Sequence, residues 1–268
     1  MKTSDFLATH PVFTAAEFRR FLEDRGSSSK WTRKALLAHH EDRGRVLRIR
    51  RGLYASVPPG STPSPSNVDP YLVAAKLSAD AVLAYHTALE FHGRAHSVYQ
   101  LFYYLTKRRS APLEFGAYRF RSVQFPKALL RKQQELFAVS LSERAGLRVR
   151  VTSPARTLVD MLDRPRLGGG WEEIWQSLGS VEYFDLDQVV EYTLLLGNST
   201  TTAKVGFFLE RHREALMVEE SHLRTLHERR PRQPHYMERK AGKKGQFVRQ
   251  WNLVVPDEVL EQPWEETI

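Results

Sequence analysis

The chain has 268 residues, of which 41% are hydrophobic and 11% aromatic, which excludes wholesale disorder and leaves room for about two domains. Cysteine is absent, so disulfides, a thiol nucleophile and zinc sites with thiolate ligands are excluded. The formal net charge of +9 favours a polyanionic partner. No apolar run approaches the roughly 20 residues of a membrane span, and the N-terminus lacks the apolar core of a secretion signal. We therefore expect a cytoplasmic protein without a membrane partner.

Charge is segregated along the sequence. Residues 1–56 carry twelve basic and six acidic side chains, and residues 57–150 carry thirteen and six. Residues 151–227 and 253–268 are acidic, whereas residues 228–252 hold eight basic and two acidic side chains. Basic segments attract phosphate backbones and release counterions on binding, although Lys and Arg also serve as ordinary solvated surface. The basic segments are therefore candidate nucleic-acid surfaces.

Helix signals recur three times in the first 44 residues. A short helix is predicted over residues 2–8, and the next begins at Thr14, where a glutamate three residues later completes a capping box. Ser28 or Ser29 caps a third helix, which ends at Gly44. The N-terminal segment is therefore predicted to begin with three helices.

A β-hairpin is predicted after the third helix. Residues 46–54 fit two short strands joined around Gly52, which adopts a positive φ readily. The order helix, helix, helix, hairpin is typical of a winged helix-turn-helix, whose third helix enters the major groove of DNA. The predicted DNA-binding residues lie at the start of that helix and along the hairpin: Ser28, Ser29, Lys30, Thr32, Arg33, Lys34, Arg45, Arg48, Arg50 and Arg51. The alternative is a protein-docking domain, and in either case Trp31, Leu36 and Leu37 are predicted core residues.

A linker is predicted after the hairpin. Residues 57–67 contain four prolines, one glycine and three serines, a composition that neither propagates a helix nor joins a sheet interior. The sequence therefore predicts a small domain over residues 1–56, a linker over 57–68 and a larger domain over 69–268.

The larger domain is predicted to be α+β, because its strands and helices do not alternate as βαβ units. Ser153, followed by a proline, and Asp185, followed three residues later by a glutamine, are predicted helix caps. Asp160 is interpreted as a solvated or capping acid. The predicted strands are residues 80–85, 99–106, 118–125, 148–152 and 246–255.

Three patterns resemble catalytic or metal sites but lack required parts. Gly179-Ser180 with Asp185-Leu186-Asp187 resembles the metal-binding motif of nucleotidyltransferases, but too few residues separate its two halves. Glu238-Arg239-Lys240 resembles a nuclease motif, but residues 229–237 contain no acid to serve as its partner. The ten histidines show no spacing typical of metal ligands. We therefore expect no enzyme activity, no cofactor and no metal.

A second basic face is predicted near the C-terminus. Its members surround His235 and Tyr236: Arg229, Arg230, Arg232, Arg239, Lys240, Lys243, Lys244 and Arg249. Such a face suits further DNA, an RNA or an acidic protein. The alternative is a solvated segment that the acidic residues between 257 and 266 neutralise.

Four segments together resemble the AbiEi-type antitoxins over most of the chain. They are residues 44–54 (GRVLRIRRGLY), 151–162 (VTSPARTLVDML), 196–199 (LGNS) and 244–256 (KGQFVRQWNLVVP). The first segment alone is only moderately specific, because several defence-related families share it. The order of the other three sharpens the resemblance.

The resemblance implies a repressor of its own operon that also counteracts a nucleotidyltransferase-like toxin, directly or indirectly. Such a pair forms a type IV toxin–antitoxin system linked to phage abortive infection. The implied partners are double-stranded operator DNA, with inverted repeats expected, and the toxin. Two alternatives from other classes stay open: a nuclease that the winged helix targets to DNA, and an adaptor whose basic faces bind RNA or protein.

Overall fold

The structure, a computed structural model, describes residues 3–26, 30–238 and 244–261, without the side chains of residues 30–33. It is a mixed α+β fold, as the sequence predicts. The helices are α1 Thr3–Thr9, α2 Ala15–Glu23, α3 Lys30–Asp42, α4 Pro70–Lys76, α5 His86–Phe91, α6 Lys127–Arg131, α7 Pro154–Asp163, α8 Trp171–Gly179, α9 Leu186–Leu196, α10 Ser199–Arg211, α11 Glu220–Glu228 and α12 Asp257–Glu261. The strands are β1 Val12–Thr14, β2 Val46–Arg50, β3 Leu53–Ser56, β4 Val82–Leu83, β5 Leu101–Thr106, β6 Leu113–Phe115, β7 Tyr118–Gln124, β8 Val139–Arg144, β9 Leu147–Thr152, β10 His235–Tyr236, β11 Gly245–Val248 and β12 Leu253–Pro256. Within the described ranges, no helix is long and apolar enough to cross a bilayer.

The chain forms two compact units whose boundaries differ from the predicted domains. Unit 1 comprises residues 1–83, 99–124 and 141–151, and unit 2 comprises residues 84–98, 125–140 and 152–268. The predicted linker thus lies inside unit 1. The reason is long-range contacts that composition does not reveal: Lys76 forms an ion pair with Glu17, and Arg50 binds the carbonyl of Leu77.

The first 56 residues contain the predicted three helices and hairpin, together with the additional strand β1. Strand β3 lies between β1 and β2 in an antiparallel sheet, and Gly52 turns the hairpin with φ +82°. The capping box is confirmed, since Thr14 N donates to Glu17 Oε2 at 2.7 Å and Glu17 N donates to Thr14 Oγ1 at 3.2 Å. A core is buried between the helices and the sheet, and Leu36 and Leu37 pack against it; its members are Phe6, Phe13, Phe18, Leu22 and Val46.

The rest of unit 1 contains most of a six-stranded mixed sheet with the order β6-β7-β5-β4-β9-β8. Strands β5 and β7 are parallel, and β4 pairs antiparallel with β5 and parallel with β9. Strand β4 is shorter than predicted. Asp80 lies before it and accepts hydrogen bonds from Thr106 Oγ1 and Lys107 N, both at 2.7 Å. Tyr85 ends the extended run, because its φ of +57° leaves the β region.

Unit 2 is a cluster of helices packed on a small sheet. Ser153, Asp185 and Asn198 accept backbone hydrogen bonds at the starts of α7, α9 and α10, so both predicted caps are confirmed. The glutamine side chain after Asp185 completes no capping box; Gln188 Oε1 accepts a hydrogen bond from Ser153 Oγ at 2.5 Å instead.

The single predicted strand over residues 246–255 is wrong. Residues Arg249–Trp251 form a 3₁₀ turn that ends at Asn252 with φ +47°, so β11 and β12 run antiparallel. The turn places the Trp251 ring in the core, where an added Cβ on Gly206 would approach it to 2.1 Å. On the other edge of β12, Met237 N donates to Val254 O at 2.9 Å.

Candidate nucleic-acid interface

The predicted recognition residues lie around the start of α3. Ser28 and Ser29 lie outside the described residues. Lys30, Thr32 and Arg33 belong to the first turn of α3, and their side chains, like that of Trp31, are not described. Lys34 is exposed. Of these residues, the structure therefore places Lys30, Thr32, Arg33 and Lys34 on α3 and describes the exposure of Lys34 alone.

The hairpin separates its four predicted arginines into two kinds. Arg45, Arg48 and Arg51 are exposed. Arg50 is half-buried, and its Nη2 donates to the carbonyl oxygen of Leu77 at 2.5 Å. The pairing register between β2 and β3 shifts between Arg48 and Arg50, and such an irregularity re-aims a side chain. Three arginines are thus presented to solvent, and the fourth holds the hairpin to the end of α4.

Helix α2 and the turn after it carry exposed cations that the sequence prediction omitted. Arg19, Arg20 and Arg25 are exposed, whereas Phe18 and Leu22 of the same segment are buried. Arg19 lies 3.8 Å from Glu23, in an exposed pair that contributes little stability. The apolar stripe of α2 is visible in the sequence. The basic residues on the opposite side of the helix could therefore have been predicted to be exposed.

The six-stranded sheet adds a further group of cations to unit 1. Arg119 and Arg121 are exposed on β7, paired with Leu101 and Tyr103 of β5. Arg119 also pairs with Glu114 at 3.3 Å, and Arg150 on β9 donates to the carbonyl of Ala79. The alternation of apolar and polar residues along β7 was the sequence signal that could have identified Arg119 and Arg121 as exposed.

The second basic face lies only partly within the described residues. Arg229, Arg232, Lys244 and Arg249 are exposed. Arg230 is half-buried and donates from Nη1 to the carbonyl oxygen of residue 227 at 2.8 Å. Arg239, Lys240 and Lys243 lie outside the described residues, as do the last seven residues of the acidic tail.

The most deeply buried ionic cluster involves Asp160, and its interpretation as a solvated or capping acid is wrong. Asp160 is 2% exposed and Arg156 is fully buried, with Arg156 Nε 3.4 Å from Asp160 Oδ2. Tyr192 Oη donates to Asp160 Oδ1 at 2.6 Å, and Arg156 Nη1 donates to the carbonyls of Glu135 and Phe137 at 2.9 and 2.6 Å. Burial raises the pKa of Asp160, although Arg156 and Tyr192 oppose that shift.

Three of the four segments that carry the family resemblance contribute buried or capping residues to unit 2. Residues 153–160 contribute a helix cap and the buried Arg156–Asp160 pair. Residues 196–199 form the turn between α9 and α10, with Gly197 at φ +63°. Trp251 of the last segment is buried, and its Nε1 donates to Glu210 Oε2 at 2.7 Å. These buried and capping residues position unit 2, whereas the exposed cations of the four segments, among them Arg48, Lys244 and Arg249, are free to contact a partner.

A second buried network surrounds His86. His86 Nε2 lies 3.0 Å from Glu173 Oε1, which also accepts from Ser177 Oγ at 2.8 Å and from Ser97 N at 3.1 Å. Burial opposes ionisation of Glu173, but the hydrogen bonds outweigh it and lower its pKa to about 2. Burial also opposes protonation of His86, and its two carboxylate neighbours, Glu173 and Glu90, reverse that effect and raise its pKa.

The residues of the enzyme-like patterns have structural contacts. Asp185 Oδ1 accepts the backbone N–H of Gln188 at 2.9 Å, as a helix cap does. Trp171 Nε1 donates to Glu238 Oε2 at 3.2 Å. Among the described residues, no group of three or more His, Asp or Glu side chains could hold a metal ion.

Comparison with known proteins gives a fold likeness. No protein-family model matches the sequence, and no curated protein matches it. The crystal structure of the RV2827C protein from Mycobacterium tuberculosis is similar, with a TM-score of 0.57 and 16% sequence identity over 96% of this chain and 90% of that one. At this identity the likeness concerns the fold alone.

Proposed function

We propose that this protein is a sequence-specific DNA-binding repressor in which α2, α3 and the β2–β3 hairpin act as a winged helix-turn-helix. The observation that carries the proposal is the distribution of charge on these elements. Their apolar side chains, among them Phe18 and Val46, are buried in the N-terminal core. Their cations, among them Lys34, Arg48 and Arg51, are exposed. Cations presented by a helix and a hairpin suit phosphate and groove contacts.

The proposal extends to an antitoxin that represses its own operon and counteracts a nucleotidyltransferase-like toxin. Its support is the four-segment resemblance to AbiEi-type antitoxins. The candidate surface for this role is the second basic face, whose exposed described members are Arg229, Arg232, Lys244 and Arg249. A cluster of like charges is self-repulsive unless an anionic partner offsets it.

The test is binding of the full chain to the DNA upstream of its own operon, measured by fluorescence anisotropy at several salt concentrations. We expect tighter binding to that DNA than to a scrambled duplex of equal length, and a steep decrease of affinity with salt. Arg48→Ala and Arg51→Ala should each weaken binding. Arg224→Ala, which removes an exposed charge from α11, is the matched control.

Two results would overturn the proposal. One is that the protein binds all duplexes with equal affinity and that Arg48→Ala and Arg51→Ala bind DNA as tightly as the wild type. The other is cleavage of the DNA in the presence of Mg²⁺, which would favour the nuclease. The neighbouring gene is an independent check, because the antitoxin role requires a nucleotidyltransferase-like partner.

A further inference from the structure

The N-terminal part of unit 1 contains a cleft of about 470 Å³. Helix α1 forms one wall, the end of α3 a second, and the end of β3 with residues 57–61 a third. Apolar surface comes from Leu7, Pro11, Val57 and Pro58. This size and this lining are typical of sites for small organic molecules.

His40 gives the cleft a buried polar group. It is 6% exposed, it lines the cleft, and its Nδ1 has no hydrogen-bond partner among the described residues. Buried polar atoms in folded proteins are nearly always hydrogen-bonded, so the unpaired nitrogen makes His40 an unusual residue in the cleft wall. Burial lowers the pKa of His40, and the neighbouring charges of Arg45 and His39 add to the shift. All three effects favour the neutral ring, in which one nitrogen donates and the other accepts.

The charged side chains that line the cleft are all positive. Arg43 and Arg45 line it and are exposed. None of the described residues that line it is acidic. Guanidinium groups bind carboxylates and sulfonates through charge-assisted hydrogen bonds. The cleft thus combines an apolar interior, one buried polar atom and a cationic rim.

We propose that this cleft binds a small organic anion with an apolar body and that its occupancy changes DNA affinity. The second part rests on the proposed DNA-binding function. His40 and Arg43 follow the start of α3 on the same chain segment, and Arg45 leads directly into β2. A ligand that contacts these residues can therefore change the positions of both α3 and the β2–β3 hairpin, which are the elements proposed to contact DNA.

The first experiment uses the full chain without DNA, so its result does not depend on the proposed function. The probe is anilinonaphthalenesulfonate, and N-phenylnaphthylamine, which lacks the sulfonate, is its neutral counterpart. We expect one saturable fluorescent site per chain, with the anion bound about tenfold more tightly than the neutral compound, as one charge-assisted contact gives. Arg43→Gln should remove that preference.

Two exposed alanines provide matched variants. Ala8 lies on α1 and lines the cleft, whereas Ala16 lies on α2. Ala8→Trp should fill the cleft and abolish probe binding, and Ala16→Trp should leave it unchanged. Thermal unfolding of each variant establishes that it is folded. If Ala8→Trp does not fold, Arg43→Gln alone is used to test the ligand site.

The second experiment measures operator affinity with and without saturating probe. We expect a change of about fivefold or more in the wild type, a typical coupling between two sites, and none in Ala8→Trp. Unaltered DNA affinity at full occupancy would overturn the coupling. A chain that binds no DNA at all would overturn the proposed function and leave the ligand site to the first experiment.

The proposed ligand site is overturned if Arg43→Gln and Ala8→Trp both bind the probe as the wild type does. It is also overturned if the wild type binds the anionic and the neutral compound with equal affinity. It is also overturned if the wild type binds no probe and sedimentation shows a dimer that Ala8→Trp dissociates. A second copy of the chain would then occupy the cleft.

Discussion

Arg50 donates a hydrogen bond from Nη2 to the carbonyl oxygen of Leu77 at 2.5 Å, and this contact joins the β2–β3 hairpin to the end of α4. The last carbonyls of a helix have no partner within it and carry partial negative charge, which explains why a guanidinium binds there. One of four arginines that look alike in the sequence therefore stabilises unit 1, and its neighbours on the hairpin are exposed.

Arg50→Ala should destabilise the protein, and Arg48→Ala should not. We expect a loss of about 1.5 kcal/mol of unfolding free energy for Arg50→Ala, since a charged hydrogen bond between half-buried Arg50 and buried Leu77 is removed. Arg48→Ala should instead lower the salt dependence of DNA binding by about one ion. Urea unfolding and anisotropy titrations check both. Equal stability losses in the two variants would contradict the distinction.

Asp160→Ala should be severely destabilising, because it leaves the fully buried guanidinium of Arg156 without its carboxylate partner. Breaking a buried ion pair in this way costs about 3–5 kcal/mol. Tyr192→Phe removes only the phenolic hydrogen bond to Asp160 and should cost about 1–3 kcal/mol. Urea unfolding measures both. If Asp160→Ala lost less unfolding free energy than Tyr192→Phe, the Arg156–Asp160 pair would not be buried.

The His86–Glu173 network should give the stability a defined pH dependence. The pKa of Glu173 is lowered to about 2, so its contribution is present above its unfolded pKa of roughly 4.3 and is lost as the pH falls towards 2. The pKa of His86 is raised, so its contribution is present below its unfolded pKa of roughly 6.5 and is lost as the pH rises through the folded value.

The network should therefore stabilise most between about pH 5 and 6.5, where both groups are charged. Thermal midpoints of wild type and Glu173→Gln across pH 3–8 test this. The difference between them should shrink towards acid pH. A difference that is constant with pH would show that the carboxylate acts only through packing.

Neutralising the second basic face should impair the proposed antitoxin activity without unfolding the protein. The variant replaces Arg239, Lys240, Lys243 and Lys244 with alanine, and the measurement is rescue of growth from the cognate toxin. The matched control replaces four exposed cations elsewhere: Arg108, Arg109, Lys127 and Arg131. Full rescue by the folded variant would show that the face only keeps the chain in solution.

Local hydrogen bonding explains which parts of the fold could be predicted. The caps at Thr14, Ser153 and Asp185 depend on residues three positions away, so the sequence shows both partners. The turn between β11 and β12 depends on Asn252 in a left-handed conformation and on burial of Trp251, and neither has a distinctive local signal.

The candidate interface follows the same rule. Exposure of Arg48 and Arg51 could be predicted, because arginine side chains are mostly exposed in folded proteins. The contact of Arg50 could not, because its acceptor is 27 positions away in the sequence. Asp160 was misjudged for a related reason, since Tyr192, 32 positions away, makes it part of a buried cluster.

The two ends of the basic segment 239–243 are both held by β12. Met237 N donates to Val254 O at 2.9 Å, and Gly245 pairs with Pro256. With both anchors fixed, doubling the number of residues between them changes the closure free energy by only about 0.6 kcal/mol. Insertions between Met237 and Gly245 should therefore cost little folding free energy. The number of residues between these anchors can vary while the Trp251-anchored core stays the same.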